Sequence, residues 1–266
     1  MSEVRQINGV DVFIEGRDGA ETIVMIHGWP DTYRLWDVTV DALKSRYRCV
    51  RFTLPGFDID KPPRAPSVAQ LSASFKNIIE QACPGQPVIL MLHDWGCVFG
   101  YAFAAQYPAL VSKVVGVDIG DAGSPAHLRD LRLVDKLSIA AYQGWLAVAW
   151  LIGGGVGRWM TRWMARALRC PSEAQFIGSQ MNYPYYLQWI GGGALPGAAA
   201  FVLACPMLYV YGTKKPFMFH SAAWAEALAL RPQSRVLAFD TRHWVVSQQP
   251  APFHQAVLEW LGAHSV

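Results

Sequence analysis

Short apolar runs alternate with helical patterns along much of the chain. The runs that predict strands are "VDVFIEG", "ETIVMIHG", "YRCVRFTLPG", "PVILMLHD" and "KVVGVDIG". Between them, "WDVTVDALKSR", "SVAQLSASFKNIIEQA" and "CVFGYAFAAQYP" carry apolar residues at helical spacing. Ser67 is the expected N-terminal cap of the second helix, and Pro108 ends the third. Because strands that alternate with helices usually pair in parallel, the pattern predicts an α/β fold with a mostly parallel central sheet.

The alternation stops at about residue 122 and returns near residue 204. The intervening stretch is rich in Trp, Gly and Arg, has helical spacing and shows no clear strand pattern. Strands then return at "CPMLYVYG" and "SRVLAFD", and a final helix follows at "APFHQAVLEWLGAH". We therefore predict a core domain made of residues 1–121 and 204–266, with a helical cap at 122–203 inserted over one end of the sheet.

The composition adds limits on function and location. Of 266 residues, 52% are hydrophobic and 16% charged, which predicts a large core and little disorder. The net charge of +3, without a repeated basic face, argues against a nucleic-acid partner. Five scattered cysteines without CxxC spacing, and no apolar leader, lead us to expect reduced thiols and a cytoplasmic location.

Two long apolar segments, at 137–157 and 190–212, raise the question of a membrane span. Glycine clusters interrupt both of them, as do Gln143 in the first and Pro196 and Pro206 in the second. We expect helices that face a core and an apolar pocket instead of a membrane span. We also expect no metal and no nucleotide cofactor, because neither the His/Asp/Glu spacing nor the two GGG runs match such sites.

Three short motifs carry a family resemblance: "HDWG" directly after an apolar strand, "HGWP" upstream and "RHW" near the carboxyl end. Together they resemble the α/β-hydrolases that use an aspartate nucleophile, with epoxide hydrolases first and haloalkane dehalogenases next. The resemblance covers nearly the whole chain and implies an α/β-hydrolase fold whose insertion is the lid. It puts Asp94 at the nucleophile position of a sharp strand-to-helix turn, with Gly96 and Cys97 as small neighbours. The alternative is that Asp94 only caps the helix.

An aspartate in that position indicates a particular chemistry. A carboxylate is ionised at neutral pH and attacks a saturated carbon without prior loss of a proton, whereas a serine first needs a base. Attack on an ester carbonyl would give a reactive anhydride. Asp94 therefore favours epoxide opening or carbon–halogen displacement through an alkyl-enzyme ester. A base is then needed only to activate the water that hydrolyses this ester.

The resemblance places the base at His243, in "FDTRHWVV", where Arg242 stands in place of a frequent glycine. Many relatives carry the orienting acid just after the strand that here reads "MLYVYG", but "TKKPF" follows and contains no carboxylate. Other relatives place the acid at the end of the preceding strand. That position corresponds to Asp118, with Asp121 as the alternative. A simpler interpretation of Asp118 is that it caps the end of the strand and forms hydrogen bonds only with local backbone.

The backbone amides of Trp29 and Trp95 are the expected donors to the oxyanion on Asp94. The HGWP turn would be shaped by Gly28 and Pro30, and ordered by His27. The remaining histidines are expected to be structural or solvated. We assign five side chains to the substrate pocket: His27, Pro30, Gln143, Trp189 and Trp244.

The tyrosines of the insertion decide between the two reactions. An opening epoxide needs an acidic hydroxyl, and epoxide hydrolases supply two lid tyrosines. Tyr142, in "AYQGWL", resembles the first, and Tyr185, in "MNYPYYLQW", fits the second best, with Tyr186 and Tyr183 as alternatives. A dehalogenase would instead need N–H donors around a halide. Trp95 is one candidate donor, but the asparagine that many dehalogenases carry in place of Trp29 is absent.

The sequence thus predicts an epoxide hydrolase that acts on an apolar epoxide and water without a cofactor. The alternatives are a haloalkane dehalogenase with the same Asp/His/acid machinery, and a non-enzymatic protein that binds a small ligand on this fold. The apolar stretches also leave a homodimer through the insertion as an open alternative.

Overall fold

The computed structural model describes residues 2–192 and 203–263. Pro196 and His264, and residues 193–202 of the second apolar segment, lie outside this part. The strands of the described part are β1 Ser2–Ile7, β2 Val10–Gly16, β3 Thr22–Ile26, β4 Arg48–Phe52, β5 Val88–His93, β6 Val111–Val117, β7 Met207–Gly212 and β8 Arg235–Phe239. They form one sheet in the order β1-β2-β4-β3-β5-β6-β7-β8.

The predicted mostly parallel sheet is confirmed. Six strands pair in parallel with their neighbours, in the order β4, β3, β5, β6, β7 and β8. The remaining two pairs, β1 with β2 and β2 with β4, are antiparallel. The sequence pattern did not identify β1, an edge strand with mostly exposed side chains. The missed signal is the Asn8-Gly9 turn, whose two positive φ angles suit a two-residue hairpin.

The helices are α1 Asp37–Leu43, α2 Val68–Ala82, α3 Trp95–Gln106, α4 Pro125–Asp130, α5 Leu133–Ile152, α6 Gly154–Ala167, α7 Tyr183–Trp189, α8 Ala222–Ala229, α9 Val245–Gln248 and α10 Pro250–Gly262. The predicted cap of α2 is present. The Ser67 hydroxyl accepts the Gln70 N–H at 3.2 Å, and the Gln70 side chain accepts the Ser67 N–H at 2.8 Å.

Apolar cores lie on both faces of the sheet. Along β3, Val24 belongs to the core that contains Phe75 of α2, and Met25 belongs to the core that contains Phe253 of α10. Because both faces of the sheet are covered, the central strands are apolar at nearly every position. Each of them therefore appears in the sequence as a continuous run of apolar residues.

The helices α4 to α7 lie between β6 and β7 in the chain, and the described part of residues 122–203 contains no strand. α5 packs against both α6 and α7. The predicted boundaries of the insertion stay predictions. In the described part, no helix combines the length and hydrophobicity needed to cross a bilayer.

Candidate active site

Asp94 lies at the turn between β5 and α3. Its φ of 53° is in the left-handed region, which is unusual for a residue other than glycine. The carboxylate makes no capping hydrogen bond to α3. Two glycines allow the turn to be this tight: a Cβ on Gly28 would lie 2.3 Å from the carboxylate Oδ1, and one on Gly96 would lie 2.3 Å from the Ile26 carbonyl oxygen.

His243 connects two carboxylates from different strands. It follows β8, and its Nε2 lies 3.3 Å from Oδ2 of Asp94, while Nδ1 lies 2.5 Å from Oδ2 of Asp118. Asp118 directly follows β6. Asp121 has other partners: its carboxylate accepts the Ser221 N–H at 2.6 Å and the Ser124 hydroxyl at 2.5 Å. The structure therefore brings Asp118, and not Asp121, to the histidine.

Lys215 is the participant that the sequence reasoning missed. It lies in the "TKKPF" loop after β7, and its Nζ forms an ion pair with Oδ1 of Asp118, which also accepts the Gly212 N–H at 2.9 Å. The Lys215 side chain is 5% exposed. The adjacent Lys214 points elsewhere and pairs with the exposed Asp240 at 2.7 Å. The only signal in the sequence was the unusual basic loop where many relatives have an acid.

Two backbone amides act on the Asp94 carboxylate. The Trp29 N–H donates to Oδ1 at 2.6 Å, and the neighbouring Trp95 amide helps to lower the pKa of the carboxyl group. Oδ2, which faces His243, stays on the other side of the carboxylate. The indole N–H of Trp29 is engaged separately, because it donates to Oδ1 of Asn182 at 2.7 Å.

Of the four candidate tyrosines, Tyr142 and Tyr185 face Asp94. Their ring centroids lie 6.2 Å apart in an edge-to-face arrangement, and both rings line the space in front of the carboxylate. Tyr186 instead stacks on Trp150 at 4.1 Å. Tyr183 is fully buried against Phe57. The geometry thus pairs Tyr142 with Tyr185.

Residues 21–147 match the family described as "alpha/beta hydrolase fold". A solved structure of an epoxide hydrolase from Bacillus megaterium, in complex with an inhibitor, superposes with a TM-score of 0.72 at 18% identity, covering 98% of this chain and 100% of that one. The chain has the α/β-hydrolase fold. This confirms the fold class that the sequence predicted.

Curated relatives match a shorter stretch. The chain is 37% identical over 122 residues to a "Probable oxidoreductase EphD" of Mycobacterium bovis, which covers 45% of this chain and 20% of the relative. It is 30% identical over 112 residues to "Epoxide hydrolase 1" of Caenorhabditis elegans, covering 41% of this chain and 28% of the relative. The chain thus spans less than a third of these relatives' length.

Two cavities meet at the Asp94 carboxylate. One has a volume of about 400 Å³ and the other of about 480 Å³. Both are lined by Asp94, Tyr142, Tyr185 and Phe219. Their sizes suit a small organic ligand. Three predicted pocket residues are among their linings: Trp244 lines the first cavity, and Gln143 and Trp189 line the second.

His27 and Pro30 differ from the expectation that they line the pocket. Both are buried and lie outside the linings of these two cavities. The His27 ring accepts the Leu54 N–H at Nε2 and donates from Nδ1 to the Gly28 carbonyl oxygen, each at 2.9 Å. With both ring nitrogens used by backbone, His27 holds the turn in place. Its burial lowers its pKa to about 4.

The charges of the site depend on one another. Burial by itself would lower the pKa of His243, but Asp118 and Asp94 outweigh burial and raise it to about 9. Burial would likewise raise the pKa of Asp94, but the hydrogen bond and charge of His243 bring it below its ordinary value. The pKa of Asp118 is lowered too, because Lys215 and His243 outweigh burial. Asp94 is therefore anionic near neutral pH, as a nucleophile must be.

Proposed function

We propose that this α/β-hydrolase opens apolar epoxides with water to vicinal diols, through an ester on Asp94. The observation that carries this proposal is the position of Tyr142 and Tyr185, whose rings border the same cavity as a carboxylate that pairs with His243. Two phenols opposite a nucleophile suit a substrate whose leaving oxygen stays attached to carbon. The sequence relative named an epoxide hydrolase supports the same chemistry.

In the first step, Oδ2 of Asp94 attacks an epoxide carbon. A new C–O bond forms, the ring C–O bond breaks, and its electron pair goes to the epoxide oxygen. Tyr142 and Tyr185 bind that oxygen, and one of them transfers its proton to it. Burial raises the pKa of both tyrosines, so each phenol holds its proton at neutral pH until the alkoxide develops.

Gln143 orients the first phenol. Its Nε2 donates to the Tyr142 oxygen at 3.2 Å, and its Oε1 accepts the Trp189 indole N–H at 2.9 Å. Because Gln143 donates to that oxygen, the hydroxyl proton of Tyr142 is left for the substrate. This gives Gln143 and Trp189 a positioning role beyond lining the cavity.

In the second step, His243 removes a proton from water, and the resulting hydroxide attacks Cγ of the Asp94 ester. The negative charge that forms on Oδ1 is bound by the Trp29 amide, which already donates to this oxygen, and by the Trp95 amide, which acts on the same carboxyl group. Collapse breaks the Cγ–Oδ2 bond and releases the diol. One proton of the consumed water completes the new hydroxyl group, and the other restores the hydroxyl group of the tyrosine. The oxygen of the water remains in the Asp94 carboxylate.

Haloalkane dehalogenation is less well supported. A departing halide would need N–H donors, and the Trp29 indole already donates to Asn182. A protein that only binds ligands would have no use for a carboxylate held against both an imidazole and two amides.

Intact-protein mass spectrometry of His243→Ala after exposure to styrene oxide tests the reaction class. Without the base, the ester should accumulate, so we expect a mass gain equal to one whole epoxide. The double variant that also carries Asp94→Asn should show no gain, because its amide is a poor nucleophile. An adduct formed from a haloalkane with loss of halide, and none from the epoxide, would assign the protein to dehalogenation. No adduct from either reagent would contradict the proposal.

A further inference from the structure

The outer face of α5 carries exposed large apolar side chains near both of its ends. Six large side chains on it are between 43% and 72% exposed, namely Leu133, Val134, Leu137, Val148, Leu151 and Ile152. Their spacing puts them on one side of the helix. The two charged residues of α5 lie elsewhere: Asp135 is held by Arg132, and Lys136 lines the second cavity. The two groups of apolar side chains lie at opposite ends of a helix roughly 30 Å long.

α6 extends this surface and adds charge to one side of it. Val156, Trp159 and Trp163 are 59%, 60% and 48% exposed and follow one another at helical spacing. Beside them runs a row of arginines at positions 158, 162 and 166, and Arg169 follows the helix. Arg162 is half-buried and donates from Nε to the Ile177 carbonyl oxygen, whereas Arg158 and Arg166 are exposed. No carboxylate occurs within α6. We call the exposed apolar side chains of α5 and α6, together with these arginines, the hairpin face.

The charge of the hairpin face argues for an anionic partner. Residues 137–170 contain four basic residues, the arginines at 158, 162, 166 and 169, and no acidic residue. A second copy bound through this face would bring like charges together, because a two-fold interface presents the same patch from both sides. Exposed Trp and Leu beside Arg is instead the composition of surfaces that lie in a lipid headgroup region.

We propose that the hairpin face docks this protein on an anionic lipid surface, with the apolar side chains of α5 and α6 in the headgroup region and the arginines against lipid phosphates. This binding is peripheral, and it does not rest on the catalytic proposal. The first cavity reaches the open end of the same hairpin, where it is lined by Ser138, Ala167 and the 38% exposed Leu168. Docking would therefore hold one cavity opening beside the bilayer, where apolar molecules dissolve.

Flotation of the purified protein with lipid vesicles tests the docking. We expect binding to phosphatidylcholine vesicles that contain phosphatidylglycerol, weaker binding to pure phosphatidylcholine, and loss of binding at high salt. Arg158→Gln with Arg166→Gln should weaken binding roughly 25-fold, because each basic residue near such a surface contributes about fivefold. Leu151→Ser with Ile152→Ser should also weaken it.

Matched controls lie at the opposite end of the molecule. Arg46 and the 86% exposed Leu230 precede β4 and β8, at the amino ends of the parallel strands. Arg46→Gln and Leu230→Ser should leave binding unchanged. The docking proposal is overturned if the vesicles do not bind, if the hairpin variants bind like the wild type, or if both vesicle types bind equally. It is also overturned if sedimentation shows a dimer that the hairpin variants dissociate, since a second copy would then cover the face.

Discussion

Lys215 contributes to the charge balance around His243, the proposed base, through its ion pair with Asp118. His243 faces two carboxylates, Asp94 and Asp118, and its ring centroid lies 4.6 Å from that of His93, whose burial lowers its pKa to about 3 and keeps it neutral. In the proposed reaction Asp94 loses its charge when it becomes an ester, so the pKa of His243 falls from about 9. Lys215 offsets part of the remaining charge of Asp118. The loss of charge on Asp94 and the positive charge of Lys215 both favour the neutral imidazole, which is the form that can accept a proton from water.

Lys215→Met should therefore shift the pH dependence of ester hydrolysis to higher pH. Loss of the cation raises the pKa of His243 in the ester. Below that pKa the imidazole is protonated and inactive as a base, so hydrolysis slows at neutral pH. Single-turnover decay of the ester, followed by mass spectrometry over a pH series, measures the shift.

Two variants of the same loop serve as controls. Lys215→Arg should keep the wild-type profile, because it keeps the cation. Lys214→Met should also keep it, because Lys214 pairs with the exposed Asp240 and not with the triad. If Lys215→Met has the wild-type profile, Lys215 does not tune the base.

The two cavity phenols should act on the first step and not on the second. In the His243→Ala background, Tyr142→Phe with Tyr185→Phe should slow ester formation by roughly 10²-fold or more, the lower range for a positioned acid. Each single variant should lose less, since one phenol remains. Tyr186→Phe is the control, because that ring stacks on Trp150 away from the cavity. Equal rates for the double variant and the control would exclude the phenols as acids.

At the scale of elements, the β5–α3 turn depends on the absence of side chains beside it. A Cβ on Gly96 would lie 2.3 Å and 2.6 Å from the carbonyl oxygens of Ile26 and His27, and both are backbone atoms that cannot swing away. The first turn of α3 therefore packs directly against the end of β3. This contact holds Asp94 and the Trp29 amide within hydrogen-bonding distance.

Gly96→Ala should lower the free energy of unfolding by about 3 kcal/mol, the upper range for overpacking a close contact. Gly144→Ala is the matched control, because a Cβ there meets nothing within 4 Å in the interior of α5. That change should raise the stability by about 0.5–1 kcal/mol through helix propensity. Urea unfolding measures both. If Gly96→Ala has the same free energy of unfolding as the wild type, the turn can open to accept a Cβ without loss of stability.

At the scale of the whole molecule, Asp31 joins segments that are far apart in the chain. It follows the HGWP turn, and its carboxylate accepts the hydroxyl of Ser172, from the insertion, and the indole N–H of Trp244, next to the base, at 3.0 Å. Asp31 is fully buried, and burial raises its pKa from 3.8 to about 6 despite these two donors. The folded state therefore holds this proton more tightly than the unfolded state.

This raised pKa predicts a pH-dependent stability with a definite sign. The stabilisation by protonated Asp31 is full below its unfolded pKa of 3.8 and is lost as the pH rises through about 6. Each pH unit between those values contributes about 1.4 kcal/mol, so the loss is about 3 kcal/mol. Asp31→Asn cannot titrate. The difference in free energy of unfolding between the wild type and Asp31→Asn should thus fall by about 3 kcal/mol between pH 3.8 and about pH 6. A difference that does not change with pH would contradict the raised pKa of Asp31.

The sequence by itself determined the layout of this protein. The central strands are buried on both faces, so each is a continuous apolar run that is visible without its neighbours. The bend at Asp94 is local as well, because it needs only a strand, an acid and small residues in succession. For the same reason the cap of α2 was predictable, and the mostly parallel pairing followed from the alternation of strands and helices. The edge strand β1 was missed because its exposed side chains carry no such pattern.

Only the tertiary structure decided which residues meet. Asp118 reaches His243 across 125 positions of the chain, and Lys215 reaches Asp118 across 97. Asp118 and Asp121 are three positions apart in sequence, yet one faces the base and the other faces Ser221. Tyr185 and Tyr186 are neighbours, yet they point to different surroundings because a helix turns by about 100° per residue. Which of two neighbouring residues meets a given partner depends on how segments far apart in the chain pack together. That packing exists only after the chain has folded.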